Sequence, residues 1–89
     1  MNFTLYADGF DDAIIGLEMN GSLPRVVYSI EKMVFILMQR DEMTEEEAVE
    51  FISFNVTSAY LGGEGAPIYI NQFNKGEIDD IINDMQWEN

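Results

Sequence analysis

The spacing of apolar residues changes near Ser29, and this change is the strongest constraint on the fold. Before it, residues 13–19 alternate between apolar and other side chains, the period-two pattern of a strand with one buried face. Asn20-Gly21 follows and is a strong hairpin signal, while residues 25–28 are β-branched and aromatic, which favours a returning strand. The first third of the chain therefore predicts a hairpin. The residues expected to share one face of its first strand are Ile15, Leu17 and Met19.

After Ser29 the apolar residues follow helical spacing. Ser29 is a good N-cap for a helix over residues 30–39, a segment that contains neither Gly nor Pro. This segment is apolar nearly all round, which predicts a central helix that packs on more than one side. Thr44 and Glu47 have the spacing of a capping box and predict the start of a second helix. That helix ends before Gly62-Gly63, at a residue that the pattern leaves open.

Three further segments complete the predicted architecture. Residues 3–6 alternate and allow one more strand, and residues 67–71 predict a strand in the C-terminal half. From residue 77 to near Trp87, apolar residues recur at the spacing of a short amphipathic helix. We expect an α+β fold in a single domain over residues 1–89, with a small antiparallel sheet of three to four strands and two to three helices packed on one face. The apolar stripe of the last helix consists of Ile78, Ile81, Ile82 and Met85.

Acidic residues dominate the composition. The 89-residue chain carries 17 Asp and Glu against 4 Lys and Arg, a formal net charge of -13, and it has no His and no Cys. Zinc sites built from Cys and His, Ser-His-Asp triads and disulfide frameworks are therefore excluded. A pI near 4.1 argues against direct binding of nucleic acid, because neutralising phosphates requires basic side chains. No apolar run has the length of a membrane span, and the N terminus lacks the features of a secretory signal, so we expect a cytoplasmic protein.

Several motifs suggest chemistry, but each has a simpler interpretation. Asp8, Asp11 and Asp12 lie close together, yet they lack the ligand spacing of an EF-hand loop and are interpreted as turn residues. The glycine-rich segment around Glu64 has no following Lys, so a phosphate loop is not expected. Ser and Thr have no histidine base to activate them. We therefore expect no enzyme activity, no metal site and no cofactor.

Part of the sequence resembles a group of known proteins, and this indicates where the chain acts. The segment Asp8–Gly16, the run Val27-Tyr28-Ser29, the capping box, the triplet Phe54-Asn55-Val56 and residues 67–69 occur in an order that resembles small uncharacterised acidic proteins encoded by tailed bacteriophages. The resemblance covers about residues 5 to 70 and leaves out the segment from residue 75 onward. It implies action inside an infected bacterium. It implies no activity, because none is established for that group, and no functional residue is carried over.

The excess of carboxylates is the most informative functional feature. On the last helix three of them form a stripe with a spacing of about 4.5–6 Å along the axis, near that of phosphates along a strand. We expect an interaction protein that imitates DNA with its carboxylates. It is expected to bind and inhibit a host protein with a basic surface, of the nucleic-acid-handling or CRISPR defence machinery. The alternative is a structural or assembly protein that forms oligomers through an apolar face. If the carboxylates are not the contact surface, an apolar face around Tyr60, Tyr69 and Trp87 is the better candidate. The candidate partner-binding residues are Glu45, Glu46 and Glu50 on the second helix and Glu77, Asp80 and Asp84 on the last one.

Overall fold

A computed structural model describes residues 3–58 and 63–86, and within these ranges three strands and three α-helices are present. A short 3₁₀-helix precedes the first strand. The α+β class predicted from the sequence is confirmed. The elements are the 3₁₀-helix Asp11–Ala13, β1 Ile14–Glu18, β2 Arg25–Ser29, α1 Ile30–Arg40, α2 Glu45–Asn55, β3 Ile68–Ile70 and α3 Lys75–Gln86.

The sheet is mixed, with β2 in its centre. β1 and β2 form the predicted antiparallel hairpin, whereas β3 runs parallel to β2, with Tyr69 opposite Tyr28. The prediction of an antiparallel sheet was therefore wrong for β3. The chain passes through α1 and α2 before it returns to the sheet, and a long crossover of this kind is what a parallel pair requires. Residues 3–6 form no strand; instead the Leu5 amide donates a hydrogen bond to the Gly65 carbonyl, 2.9 Å away.

A bulge in β1 changes which of its side chains face the core. Ile14 lies opposite Tyr28 and Gly16 lies opposite Val27, so one residue of β1 has no counterpart in β2. An extra residue shifts the alternation of faces by one position. Ile14 therefore packs against the core, and strict alternation from residue 13 to residue 19, as predicted, does not hold.

The core lies between one face of the sheet and the two helices α1 and α2. Ser29 accepts a hydrogen bond from the Lys32 amide, as its predicted N-cap role requires. α1 packs against β2, α2 and the 3₁₀-helix, as expected for a central helix, but Phe35 on its outer side is 62% exposed. The buried core residues are Ala7, Phe10, Ala13, Val26, Tyr28, Met33, Val34, Leu37, Ala48 and Ile52.

α3 differs from the other two helices because none of its residues is buried. Its apolar residues Ile78, Ile81, Ile82 and Met85, called the α3 stripe below, are all exposed. Thus α1 packs on the sheet and α2 packs on α1, whereas α3 presents its apolar side to solvent. Helical periodicity identifies the apolar face of a helix, but it does not identify what covers that face.

Candidate functional site

The six carboxylates predicted to bind a partner lie on two different helices. Glu45, Glu46 and Glu50 are on α2, which packs against α1, and the other three are on α3, which has no buried residue. All six are exposed. The chain thus has two separate acidic surfaces, and each has its own apolar neighbours.

The first surface is a groove beside the turn between α1 and α2. Its volume is about 420 Å³, and we call it the α2 groove. Exposed aromatic rings form part of its wall, and Phe54 is 76% exposed. The apolar lining consists of Met43, Phe51 and Phe54, and the acidic lining consists of Asp41, Glu42, Glu47 and Glu50.

Two local features position the acidic lining. The Glu47 amide donates to Thr44 Oγ1 at 3.1 Å, and the Thr44 amide donates to Glu47 Oε1 at 2.9 Å, so the predicted capping box is present. Glu42 adopts a left-handed backbone conformation with φ of 58°. Such a conformation is uncommon outside glycine, and here it allows a short turn from α1 into α2. The turn brings Glu42 beside the groove.

The carboxylates of the α2 groove differ in whether they already form an ion pair or a hydrogen bond within the chain. Asp41 pairs with Arg40 at 3.1 Å, and Glu47 is engaged in the capping box. Glu42 and Glu50 make no ion pair and no side-chain hydrogen bond with any residue in the described ranges. Free carboxylates beside an exposed aromatic ring suit a Lys or Arg side chain, because the cation can pair with the acid while it lies over the ring.

Sequence reasoning located part of this groove. Glu50 was predicted and lines it, whereas Glu45 and Glu46 lie outside its lining. Glu42 and Phe54 were missed. The only sequence signal for them is an acidic residue followed by phenylalanines near a capping box, and nothing in that pattern distinguishes a buried ring from an exposed one.

The groove continues past Phe51 into a second, smaller concavity of about 300 Å³, which Tyr6, Asp8 and Tyr69 also line. Tyr69 is half-buried, and its ring lies 5.6 Å from that of Tyr28, measured between centroids. An apolar contact face around Tyr60, Tyr69 and Trp87 was a sequence-based alternative. Tyr60 and Trp87 lie outside the described residues, so only Tyr69 of this set is placed.

The second acidic surface, on α3, includes a capping box that the sequence reasoning missed. The Glu77 amide donates to Asn74 Oδ1 at 2.8 Å, and the Asn74 amide donates to Glu77 Oε1 at 2.9 Å. Glu77 therefore stabilises the helix start and is not simply a free surface charge. Asp80 and Asp84 make no ion pair with a described residue, whereas Asp79 pairs with Lys75 at 2.8 Å.

A third concavity lies between the 3₁₀-helix and the outer face of α1. It has a volume of about 810 Å³, and we call it the α1 cleft. Arg40 closes one end by donating to the Gly9 carbonyl at 2.9 Å and by lying over the Phe10 ring, 5.6 Å from its centroid. The hydrogen bond that Arg40 donates to the Asp41 carboxylate raises the pKa of Arg40 above its ordinary value. The other side chains lining the cleft are Asp11, Asp12, Lys32, Phe35, Ile36 and Gln39.

Two of the aspartates interpreted as turn residues, Asp11 and Asp12, lie in the 3₁₀-helix, and Asp8 is in the turn before it. Gly9 in that turn has a φ of 88°, which glycine adopts easily. Across residues 3–58 and 63–86 no three acidic side chains converge as a metal-ligand group. In the same ranges no helix has the length and apolar character needed to cross a bilayer.

Comparison of the chain with models of protein families, with curated proteins and with solved structures finds no match. The function of the chain therefore has to be inferred from the α2 groove, the α1 cleft and α3.

Proposed function

We propose that the chain is a protein-interaction domain that binds a positively charged segment of a partner protein in the α2 groove. The observation that carries this proposal is the position of two unpaired carboxylates, Glu42 and Glu50, in one groove with the exposed ring of Phe54. Phe is among the aromatic residues enriched at the core of protein interfaces, and Arg is among the residues most enriched in binding hot spots.

The proposed contact combines two interactions. A Lys or Arg side chain of the partner lies against Phe54, which contributes about 0.5–1 kcal/mol at an exposed site. Its charged end meets Glu42 or Glu50. The net charge of -13 acts at longer range, because it attracts a basic partner and raises the association rate.

Inhibition would follow because the chain occupies the basic surface of its partner, and it requires no catalysed reaction. A basic surface that handles nucleic acid is blocked when carboxylates occupy the sites that phosphates would use. The resemblance to phage-encoded proteins favours a partner in the bacterial host, with nucleic-acid-handling or CRISPR machinery as the leading class. The chain itself is proposed to bind protein and not nucleic acid.

Two matched double variants test the groove. Glu42→Lys with Glu50→Lys, the α2 pair, and Asp80→Lys with Asp84→Lys, the α3 pair, each reverse two exposed charges, and each changes the net charge from -13 to -9, by four units. Both leave the capping-box glutamates in place. Proteins captured from a bacterial lysate by the wild type should be lost with the α2 pair and retained with the α3 pair.

Phe54→Ala completes the test because it leaves the charge unchanged. We expect it to weaken capture of the same proteins, since the exposed ring is proposed to contact the partner directly. Equal losses from both charge pairs, together with full binding by Phe54→Ala, would mean that diffuse charge drives the attraction. The proposed groove would then be wrong.

A structural or assembly role is the second candidate function, and the exposed α3 stripe favours it. An assembly protein should form oligomers without any partner, and these should survive added salt because an apolar contact is not screened. Partner binding through the α2 groove should instead weaken as salt is added. Sizing the purified chain at low and high salt separates these two roles.

A further inference from the structure

We propose that the partner segment bound in the α2 groove is extended and carries a Trp or Tyr side chain three residues away from its basic side chain. This rests on the proposed function and makes it more specific, because the same segment occupies the α2 groove. The aromatic side chain enters the adjoining concavity of about 300 Å³. We call this concavity the aromatic recess, and Tyr6, Asp8, Phe51 and Tyr69 are among the residues that line it.

The aromatic recess and the α2 groove have a common boundary. Phe51 and Asn55 line both concavities. They are four residues apart on α2, so they are neighbours on one face of the helix. A segment that enters both concavities therefore crosses these two side chains. The crossing is no wider than a helix with its side chains, about 10–12 Å, and an extended segment spans that distance in about three residues at about 3.3 Å each.

The lining of the recess suits one aromatic side chain. Its volume is at the lower end of the range of about 300–1,000 Å³ found for ligand pockets. The rings of Tyr6 and Phe51 are 63% and 37% exposed, so both are accessible, whereas Ala7 and Phe10 in the same lining belong to the buried core. Contacts between aromatic rings add to the gain from burying their surface. A ring from the partner therefore gains more here than an aliphatic side chain does.

Asp8 favours an aromatic side chain that carries a hydrogen-bond donor. Asp8 is exposed, and its carboxylate makes no ion pair and no hydrogen bond with any residue of ranges 3–58 and 63–86. Trp and Tyr can donate an N–H or O–H to it, and Phe cannot. Hydrogen bonds to an ionised acceptor are the stronger kind. The recess therefore favours Trp or Tyr over Phe.

Asn55 indicates that the segment is extended. Its side chain is exposed and makes no hydrogen bond with another part of the described chain. A side-chain amide both donates and accepts, so at the boundary it can pair with the N–H and C=O groups of a backbone that crosses there. An extended segment offers both groups, whereas the backbone groups in the middle of a helix are already paired within the helix.

Short peptides with blocked ends test the proposal by NMR titration of the isotope-labelled full chain at low salt. The probes are Arg-Ser-Ser-Trp, the reverse sequence Trp-Ser-Ser-Arg, Arg-Ser-Ser-Ser and Arg-Ser-Ser-Arg. We expect Arg-Ser-Ser-Ser to shift the signals of the α2 groove. One of the two peptides that contain Trp should bind at least about tenfold more tightly and also shift the signals of the recess.

Two variants of the recess should remove most of the advantage of Trp. Tyr6→Ala removes an exposed ring, and Asp8→Asn removes the acceptor charge and changes the net charge from -13 to -12. Asp80→Asn on α3 changes the net charge equally and should keep the advantage. Arg-Ser-Ser-Ser should bind all three variants as it binds the wild type, which also shows that they are folded.

The outcomes separate this inference from the proposed function. If Arg-Ser-Ser-Ser shifts the α2 groove but Trp adds no affinity, the recess is not the aromatic site and the proposed function stands. Tighter binding of Arg-Ser-Ser-Arg than of both peptides with Trp would also overturn the inference, because a second cation would then occupy the recess. Absence of shifts in the α2 groove with every peptide would overturn the proposed function, and this inference with it.

Discussion

Replacing Tyr28 by Phe should destabilise the fold through the loss of one oxygen atom. Tyr28 is fully buried in the core, and its hydroxyl accepts a hydrogen bond from the Ala7 amide at 2.7 Å. This bond ties the N-terminal segment to the central strand. Tyr28→Phe keeps the ring and its packing against Tyr69, but it leaves the Ala7 amide without its acceptor.

The expected magnitude follows from the buried position of that amide. Leaving a buried donor unsatisfied costs about 1–3 kcal/mol. For a domain of this size, each kcal/mol changes the Tm by about 4–8 °C, so the Tm should fall by about 5–20 °C. Thermal unfolding followed by far-UV circular dichroism measures this. Tyr6→Phe is the matched control, because Tyr6 is 63% exposed and should tolerate the same change.

The same variant should alter the response to alkaline pH. Burial raises the pKa of the Tyr28 phenol, and this outweighs the lowering effect of the hydrogen bond from Ala7. A raised pKa in the folded state means that the contribution of Tyr28 to stability is complete below the unfolded value of about 10. It is lost as the pH rises through the folded value. The wild type should therefore lose more stability above pH 10 than Tyr28→Phe does.

Identical melting curves for the wild type and Tyr28→Phe at neutral pH would refute the reasoning. They would mean that water replaces the lost acceptor, and hence that the Ala7 amide is not enclosed. Equal losses of stability above pH 10 in the wild type and Tyr28→Phe would refute the prediction for alkaline pH. They would mean that groups other than Tyr28 cause the loss.

Three further changes test the local structure. Thr44→Ala should destabilise the protein by about 0.5–2 kcal/mol, since the capping box of α2 loses its side-chain acceptor; a melting curve equal to that of the wild type would mean that α2 does not begin there. Gly65→Ala should destabilise by more than about 1 kcal/mol, because Gly65 has a φ of 73° and a methyl group there would meet the Phe3 backbone; denaturant unfolding measures it. Asn74→Ala should reduce the helical circular dichroism signal by fraying the first turn of α3, and an unchanged spectrum would contradict the assigned cap.

Local signals in the sequence predicted the local structure. The caps at Ser29 and Thr44 and the hairpin after β1 depend on residues within seven positions of one another, so neighbouring residue types are enough to identify them. The direction of β3 depends on how the chain returns from α2. The bulge between Ile14 and Gly16 depends on the register with β2. Neither the direction of β3 nor the bulge in β1 can be predicted from a few neighbouring residues.

For the candidate site, too, the sequence predicted the local features but not those that depend on packing between elements. The presence of carboxylates on α2 follows from composition and helical spacing, and Glu50 was placed correctly. The groove itself depends on the turn at Glu42 and on the exposure of Phe54, which are properties of packing between elements. The α3 stripe gave the most misleading pattern, because an apolar stripe usually faces the core of its own domain.

The four basic residues explain why so much negative charge remains uncompensated. Arg25 donates to the Ala66 carbonyl, Arg40 holds the turn at Gly9, and Lys75 pairs with Asp79 within α3. Three of the four thus act within the fold, and only Lys32 is free for an external contact among the described residues. The uncompensated carboxylates repel one another, so added salt should raise the Tm. The same salt should weaken binding of a basic partner in the α2 groove. Opposite responses to one salt series, measured by thermal unfolding and by partner capture, are therefore expected. A Tm that falls with salt would mean that attractive ion pairs outweigh the repulsion.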